Sequence, residues 1–185
     1  MLGKEIAGYR ILSEIAEGGM GIVYRGESVE SGNAVAIKVM RSDIVGKRNE
    51  VGRFIREAVI YKRLRHPNLI DFQSFGFDPR LGFFLVTELL NGWELEDELR
   101  KVGAGQTLPR EKVLDIILQV CAGLGAAHEQ GIVHRDLKPA NIFLVPQEND
   151  DSFLVKVFDF GIGHLLDKDF SAKLVHDNIA LAKPS

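Results

Sequence analysis

His134-Arg135-Asp136-Leu137-Lys138-Pro139-Ala140-Asn141 sets an acid, two cations and an amide within eight residues, between an apolar helix-forming segment and a short apolar run. Farther on comes Asp159-Phe160-Gly161. An aspartate beside a hydroxyl can orient it and accept its proton. Mg2+ takes oxygen ligands, commonly one or two protein carboxylates completed by phosphate and water. Asn141 and Asp159 offer such oxygens. The residue types point to a place where a hydroxyl, a phosphate and magnesium meet.

Upstream, the helical run from Pro109 to about Gln130 starts where proline costs a helix little. Its apolar residues (Val113, Leu114, Ile116, Ile117, Leu118, Val120, Cys121, Leu124) cover nearly the whole circumference, so it is expected to be packed on every side. Cys121 reads as a small buried hydrophobe. A shorter amphipathic helix is expected over 93–102. Downstream, 132–133, 142–145 and 153–158 read as short strands, and the acidic run Glu148 to Asp151 as a solvated turn.

The N-terminal half alternates with period two. Residues 9–16, 22–25 and 33–40 read as strands of an antiparallel meander, and 69–77 and 83–90 as two more. An amphipathic helix is expected from about 49 to 65, ended by His66-Pro67-Asn68, because proline disfavours helix in the residue before it. Five strands and one helix make a small α+β lobe over 1–90. Asn91-Gly92 reads as a hinge into a second lobe over 91–185.

Composition limits the function classes. The 185 residues are 45% hydrophobic and 26% charged, with a net charge of −3. That is an ordinary globular balance, and it lacks the basic stripe of a nucleic-acid binder. One cysteine excludes an internal disulfide and fits a reducing compartment. No apolar run approaches the ~20 residues of a membrane span, and the first residues carry no secretion signal. The expectation is a cytoplasmic protein, or the cytoplasmic piece of one. The histidines His66, His128, His164 and His176 show no metal-ligand spacing.

Two further patterns carry chemistry. Ala16-Glu17-Gly18-Gly19-Met20-Gly21-Ile22-Val23 is a glycine-rich turn between strands. It is either an ordinary hairpin or a flap whose N–H groups approach phosphate. It is not a dinucleotide fingerprint, which must open a helix. Lys38, in Val35-Ala36-Ile37-Lys38, sits on an otherwise apolar strand. It lies at a solvent end or has an anionic partner, since a buried ammonium needs one. Glu57, midway along the first helix, is available.

In order, these patterns resemble the protein-kinase family: glycine-rich flap, Val-Ala-Ile-Lys, helix glutamate, His-Arg-Asp-x-x-x-x-Asn and Asp-Phe-Gly. The wording Glu-Gly-Gly-Met-Gly-x-Val-Tyr-Arg and Lys-Pro-Ala-Asn is similar to bacterial serine/threonine kinases of the eukaryotic-like type, and the resemblance runs from about Tyr9 to about Leu166. Aminoglycoside-type kinases match less well. The resemblance implies an α+β two-lobe fold with a mainly helical second lobe, ATP and Mg2+ as cofactors, and a protein Ser/Thr hydroxyl as acceptor. Residues Ala16 to Val23 would cover the phosphates. Lys38, paired with Glu57, would hold the α- and β-phosphates. Asp136 would position the hydroxyl and act as base, Lys138 would steady the γ-phosphate, and Asn141 and Asp159 would hold the metal. Val23, Ala36 and Phe143 would sandwich the adenine. Thr87 falls at the gatekeeper position, and Glu88 to Leu90 offer backbone hydrogen bonds. Arg135 resembles the arginine that reads a phosphorylated activation loop, and His134 a scaffold residue packing near Phe160.

Departures from the family are local at the start and large at the end. Ala16 stands where a glycine is usual, and Gly163-His164 replace a more typical pair. No Ala-Pro-Glu motif follows the stretch Lys168 to Ser185, in which Ser171 and Ser185 are candidate phosphorylation sites. The expectation is a piece of a longer kinase, or a chain whose helix 109–130 is covered by a partner. The rival reading is a non-catalytic nucleotide-binding or regulatory module that binds through that face.

Overall fold

Strand alternation sorts the first half of the chain into two faces. Val35, Ile37 and Val39 point to one side of their strand, and Ala36 and Lys38 to the other. The three on the first side are buried with Ile6, Ile11, Tyr24, Leu81, Phe84 and Val86 in one apolar cluster. The computed structural model describes residues 1–19, 21–41, 48–103, 105–148 and 152–160. Met20, Gly161, Gly163, His164, Ser171, His176 and Ser185 lie outside them, as does the stretch from Lys168 onward.

The chain forms two compact units. Of the described residues, the first contains Met1–Lys62 and Phe72–Leu89, and the second contains Arg63–Asp71 and those from Leu90 to Phe160. This differs from a single cut near residue 90, since 63–71 goes with the second unit. There the backbones of Asn68 and Ile70 bond Val157 (Val157 N–H to Asn68 O, 2.9 Å; Ile70 N–H to Val157 O, 3.0 Å).

In the first unit, β1 (Glu5–Ile6), β2 (Tyr9–Glu17), β3 (Gly21–Ser28), β4 (Ala34–Met40), β5 (Phe72–Asp78) and β6 (Gly82–Glu88) form one sheet, in the order β1-β2-β3-β4-β6-β5. Every pairing in it is antiparallel. The sheet has six strands where the sequence suggests five, because Glu5 and Ile6 pair with Arg10 and Tyr9 at its edge. Two residues are too few to show alternation. Helix α1 (Arg48–Arg63) buries Val51, Phe54, Ile55, Ala58 and Ile60, and Phe54 meets Phe75 of β5 at 6.3 Å between ring centres.

In the second unit, β7 (Trp93–Glu94), β8 (Ile142–Pro146) and β9 (Phe153–Val157) form an antiparallel sheet beside α2 (Leu95–Val102) and α3 (Arg110–Glu129). Helix α2 thus starts two residues later than its amphipathic pattern suggests, because Trp93 and Glu94 pair with Leu144 and Phe143. Gly92, read as a hinge, has a packing reason: a Cβ there would lie 2.0 Å from the Leu144 carbonyl oxygen.

Among the described residues, helix α3 is not packed all round. Ile116, Val120, Gly123 and Ala127 form its buried stripe. Val113, Leu114, Ile117 and Leu118 are exposed, and so is Cys121, against the buried position expected of it.

Candidate active site

In the first unit, antiparallel pairing sets side chains of opposed residues on the same face. Ala16 opposes Val23, Val23 opposes Lys38, and Ala36 opposes Thr87. The alternation of β4 puts Ala36 and Lys38 together, so five of the residues singled out above share the face opposite the apolar cluster. Lys38 Nζ reaches both carboxylate oxygens of Glu57 on α1, each at 2.8 Å. Glu57 is buried and Lys38 retains about a quarter of its side-chain exposure (24%). The buried acid is thereby matched by charge and by two hydrogen bonds, as burial requires. Thr87 donates its hydroxyl to the Glu88 carbonyl at 3.2 Å.

The glycine-rich turn joins β2 and β3 and closes through Gly18 N–H to Gly21 O at 2.9 Å. Gly21 is required by packing, since a Cβ would sit 2.5 Å from the Val39 carbonyl oxygen. A Cβ at Gly19 would meet nothing within 4 Å, and one at Gly18 only the Gly21 oxygen at 3.8 Å. Among the described residues, packing does not ask for glycine at 18 and 19.

In the second unit, the loop from His134 to Asn141 is held by buried groups at both ends. The His134 ring accepts the Asp136 N–H at Nδ1 (3.3 Å), which leaves Nε2 as the donor to the Phe158 carbonyl at 3.0 Å. Burial pushes its pKa down, outweighing the hydrogen bond to Phe158 and the charges of Asp159 and Asp136. The His134 ring also packs 4.6 Å from Phe160. Arg135 takes φ 64° and Asp159 φ 53°, left-handed conformations that non-glycine residues adopt at a cost and that cluster at functional sites.

At the other end, Pro139–Asn141 form a 3-10 turn. Buried Asn141 donates its amide to the Asp136 carbonyl (2.7 Å), with a longer contact to the Asp136 carboxylate (3.4 Å). With the amide nitrogen so directed, Asn141 Oδ1 remains as an acceptor. Phe158 N–H bonds the Asn141 carbonyl at 3.1 Å, which ties Asp159, the next residue, to the same loop. Asp136 and Lys138 meet at 2.8 Å on the surface. The Lys138 hydrogen bond holds the Asp136 carboxyl below the ordinary carboxylate range. The same bond pushes Lys138 up, helped by the charge of Asp159.

A carboxylate and an amide oxygen on adjoining backbone fit Mg2+, which keeps several positions for water and phosphate oxygens. Among the described residues no three His, Cys, Asp or Glu side chains gather into a self-sufficient cage. Phe143 is half-buried on β8, 6.2 Å from Phe158. Leu90 is the first residue of the second unit after the β6 strand. Two residues that support this site are not singled out for it in the sequence: Asn68, read there only as part of a helix end, and Gln119. Both bind β9, the strand that leads to Asp159.

The fold and the loop geometry are those of the protein-kinase family. A family profile for the protein kinase domain matches residues 9–178, and the chain belongs to that family. It is similar to the serine/threonine-protein kinase pkn3 of Myxococcus xanthus, 39% identical over 167 residues that make up 90% of this chain and 30% of that protein. It is also similar to the serine/threonine-protein kinase PrkC of Bacillus subtilis, 35% identical over 182 residues, 98% of this chain and 26% of that protein. The chain thus spans less than a third of the length of either relative. Among solved structures, the PknI kinase domain of Mycobacterium tuberculosis superposes with a TM-score of 0.72 at 26% identity, covering 89% of this chain and 64% of that one. No helix among the described residues is long and apolar enough to cross a membrane.

Proposed function

We propose that the chain is the ATP-binding and catalytic part of a protein serine/threonine kinase. The observation that carries this reading is the loop geometry of the second unit. Asp136, Asn141 and Asp159 are joined through the Asn141 amide and the Asn141–Phe158 backbone bond. In this reading an acceptor hydroxyl approaches Asp136, whose ionised carboxylate receives its hydrogen bond. The hydroxyl oxygen forms a bond to the γ-phosphorus as the bond from that phosphorus to the β–γ bridging oxygen breaks. ADP departs and the proton passes to Asp136. A carboxylate held low in pKa by Lys138 is a weak base, so its main contribution is orientation, in keeping with a reaction driven by positioning and charge.

Lys138 steadies the transferred phosphoryl group, and Lys38, fixed by Glu57, holds the other phosphates. Gly18, Gly19 and Gly21, with Ala16, Glu17 and Met20, form the flap. Val23 and Ala36 give the adenine apolar surface, as does Phe143. Thr87 limits the depth of its pocket, and the backbone of Glu88 and Leu90 supplies hydrogen bonds. Asn141 and Asp159 hold Mg2+, which when bound neutralises phosphate charge.

Phosphate incorporation from Mg·ATP, into a generic protein substrate and into the chain itself, tests the reading. Asp136→Asn should lower it by about 10²–10⁴-fold. Incorporation that survives this change would refute the role of Asp136.

The exposed apolar residues of α3 favour a second reading, a nucleotide-binding or regulatory module whose partner covers Leu114, Ile117 and Leu118. Nucleotide binding without phosphate incorporation, together with concentration-dependent association, would favour it. An active monomer would exclude it.

A further inference from the structure

Strand β9 delivers Asp159, and among the described residues one of its edges is covered by a strand, β8. On the other edge the outward-facing groups are those of Phe153, Val155 and Val157. The Phe153 carbonyl and both backbone groups of Val155 and Val157 have partners, and three of the bonds come from side-chain amides. Gln119 Nε2 donates to the Phe153 carbonyl at 3.1 Å, and Gln119 Oε1 accepts the Val155 N–H at 2.8 Å. Asn68 Nδ2 donates to the Val155 carbonyl at 2.9 Å, and its backbone carbonyl accepts the Val157 N–H at 2.9 Å. Ile70 N–H closes the row on the Val157 carbonyl.

The two amides are joined, Asn68 Nδ2 to Gln119 Oε1 at 2.9 Å. Asp115, one turn earlier on α3, takes the remaining Gln119 donor, with both carboxylate oxygens at 3.2 Å. Gln119 therefore uses both donors and both acceptor sites of its amide. Gly123, one turn later, lets the 63–71 segment lie close: a Cβ there would come within 2.9 Å of the Asn68 carbonyl oxygen and 3.0 Å of Leu69. A fully satisfied amide network of this kind fixes one arrangement, and a register slip in β9 would break all of it at once.

We propose that Gln119 is a positioning residue for phosphoryl transfer. It acts as a side-chain neighbour strand for β9, sets that strand's register against α3, and so places Asp159 for the metal. The proposal rests on the kinase reading given above.

The test measures binding to the full chain of ADP alone, in excess EDTA, and of ADP with Mn2+. In the wild-type chain the metal should strengthen binding. Gln119→Leu, which removes both donors and both acceptors at similar volume, should cut that metal-dependent gain by about 10-fold, as loss of a group supporting a metal ligand does. It should leave the metal-free affinity unchanged. A purely structural role would shift the melting temperature and leave the gain alone. If Gln119→Leu does not fold, Gln119→Glu decides. It keeps acceptors for Val155 and Asn68, loses the donors to Phe153 and Asp115, and should show a loss of the same kind. A wild-type gain left intact in the folded variant would overturn the positioning role alone. A wild-type chain with no metal-dependent gain would overturn the nucleotide reading, and this proposal with it.

Discussion

Two lysine–carboxylate pairs of the same length sit in opposite surroundings. Lys38 and Glu57 meet at 2.8 Å across a strand and a helix, with side-chain exposures of 24% and 9%. Lys138 and Asp136 meet at 2.8 Å within one loop, with exposures of 51% and 55%. The first pair is part of the folded unit, because neither charge can be left where it is without the other. The second is washed by solvent, where water screens an ion pair and leaves it little to add to stability. Distance alone does not tell a structural pair from a chemical one; burial does. The exposed pair stays accessible to a substrate, and its loop is held by His134 and Asn141 instead.

Glu57→Ala breaks the buried pair and should have the largest effect on stability. It leaves the Lys38 ammonium three-quarters buried without its partner, at a cost of about 3 kcal/mol, the low end for such losses because some exposure remains. Urea denaturation of the single variant and of Lys38→Met/Glu57→Met measures it. The double variant should recover most of the loss, since two apolar groups need no compensation. Equal destabilisation by both would show that packing, rather than an orphaned charge, dominates at this place.

The sequence made the ends of this comparison readable to different depths. The acid, lysine and asparagine of the exposed pair's loop lie within a few residues of one another, so their spacing carries the reading. The buried pair was legible as one of two options: an ammonium on an apolar strand lies at a solvent end or beside an anion, and α1 offered Glu57. The brace on β9 was not foreseen, because Asn68, Gln119 and Val155 lie far apart in the chain and amide-to-backbone bonds leave no periodic trace. One signal was available. Gln119 is polar and falls between Ile116, Val120 and Gly123 on the buried stripe of α3, where an unpartnered amide would be costly.

The placement of Cys121 failed for the reverse reason. A helix apolar on all sides has no polar face to show which side is inside. For the glycines, sequence could not separate Gly21, which the Val39 carbonyl requires, from Gly18 and Gly19, which packing leaves free. The short edge strand β1 and the early end of α1 at Arg63 were likewise below the resolution of periodicity.

His134 sharpens the comparison from the second unit. If this residue holds the Asp136 loop, stability should depend on its protonation. Burial puts its folded pKa below the unfolded value of about 6.5. The unfolded chain therefore takes up the proton first. The stabilisation is complete above about pH 6.5 and is lost as pH falls from there through the folded value. A proton on Nδ1 would also turn the acceptor of the Asp136 N–H into a second donor. Urea midpoints between pH 7.5 and 5.5 should fall more steeply for the wild-type chain than for His134→Phe. Parallel slopes would remove His134 from the account.

Lys138→Met should have the smallest effect on stability, and that smallness is the point. Its ammonium is half exposed and meets Asp136 in solvent, so removing it should leave the urea midpoint close to that of the wild-type chain. It also frees Asp136 from the hydrogen bond that lowers its pKa, so the carboxyl should titrate at a higher pH in the variant, which NMR of the Asp136 side chain can follow. Under the kinase reading the same change removes a cation from the transferred phosphoryl group, so phosphate incorporation should drop while the urea midpoint stays. Glu57→Ala should lower both together. A Lys138→Met chain that loses stability as Glu57→Ala does would erase the distinction between the pairs and would mean that the exposed pair supports the loop after all.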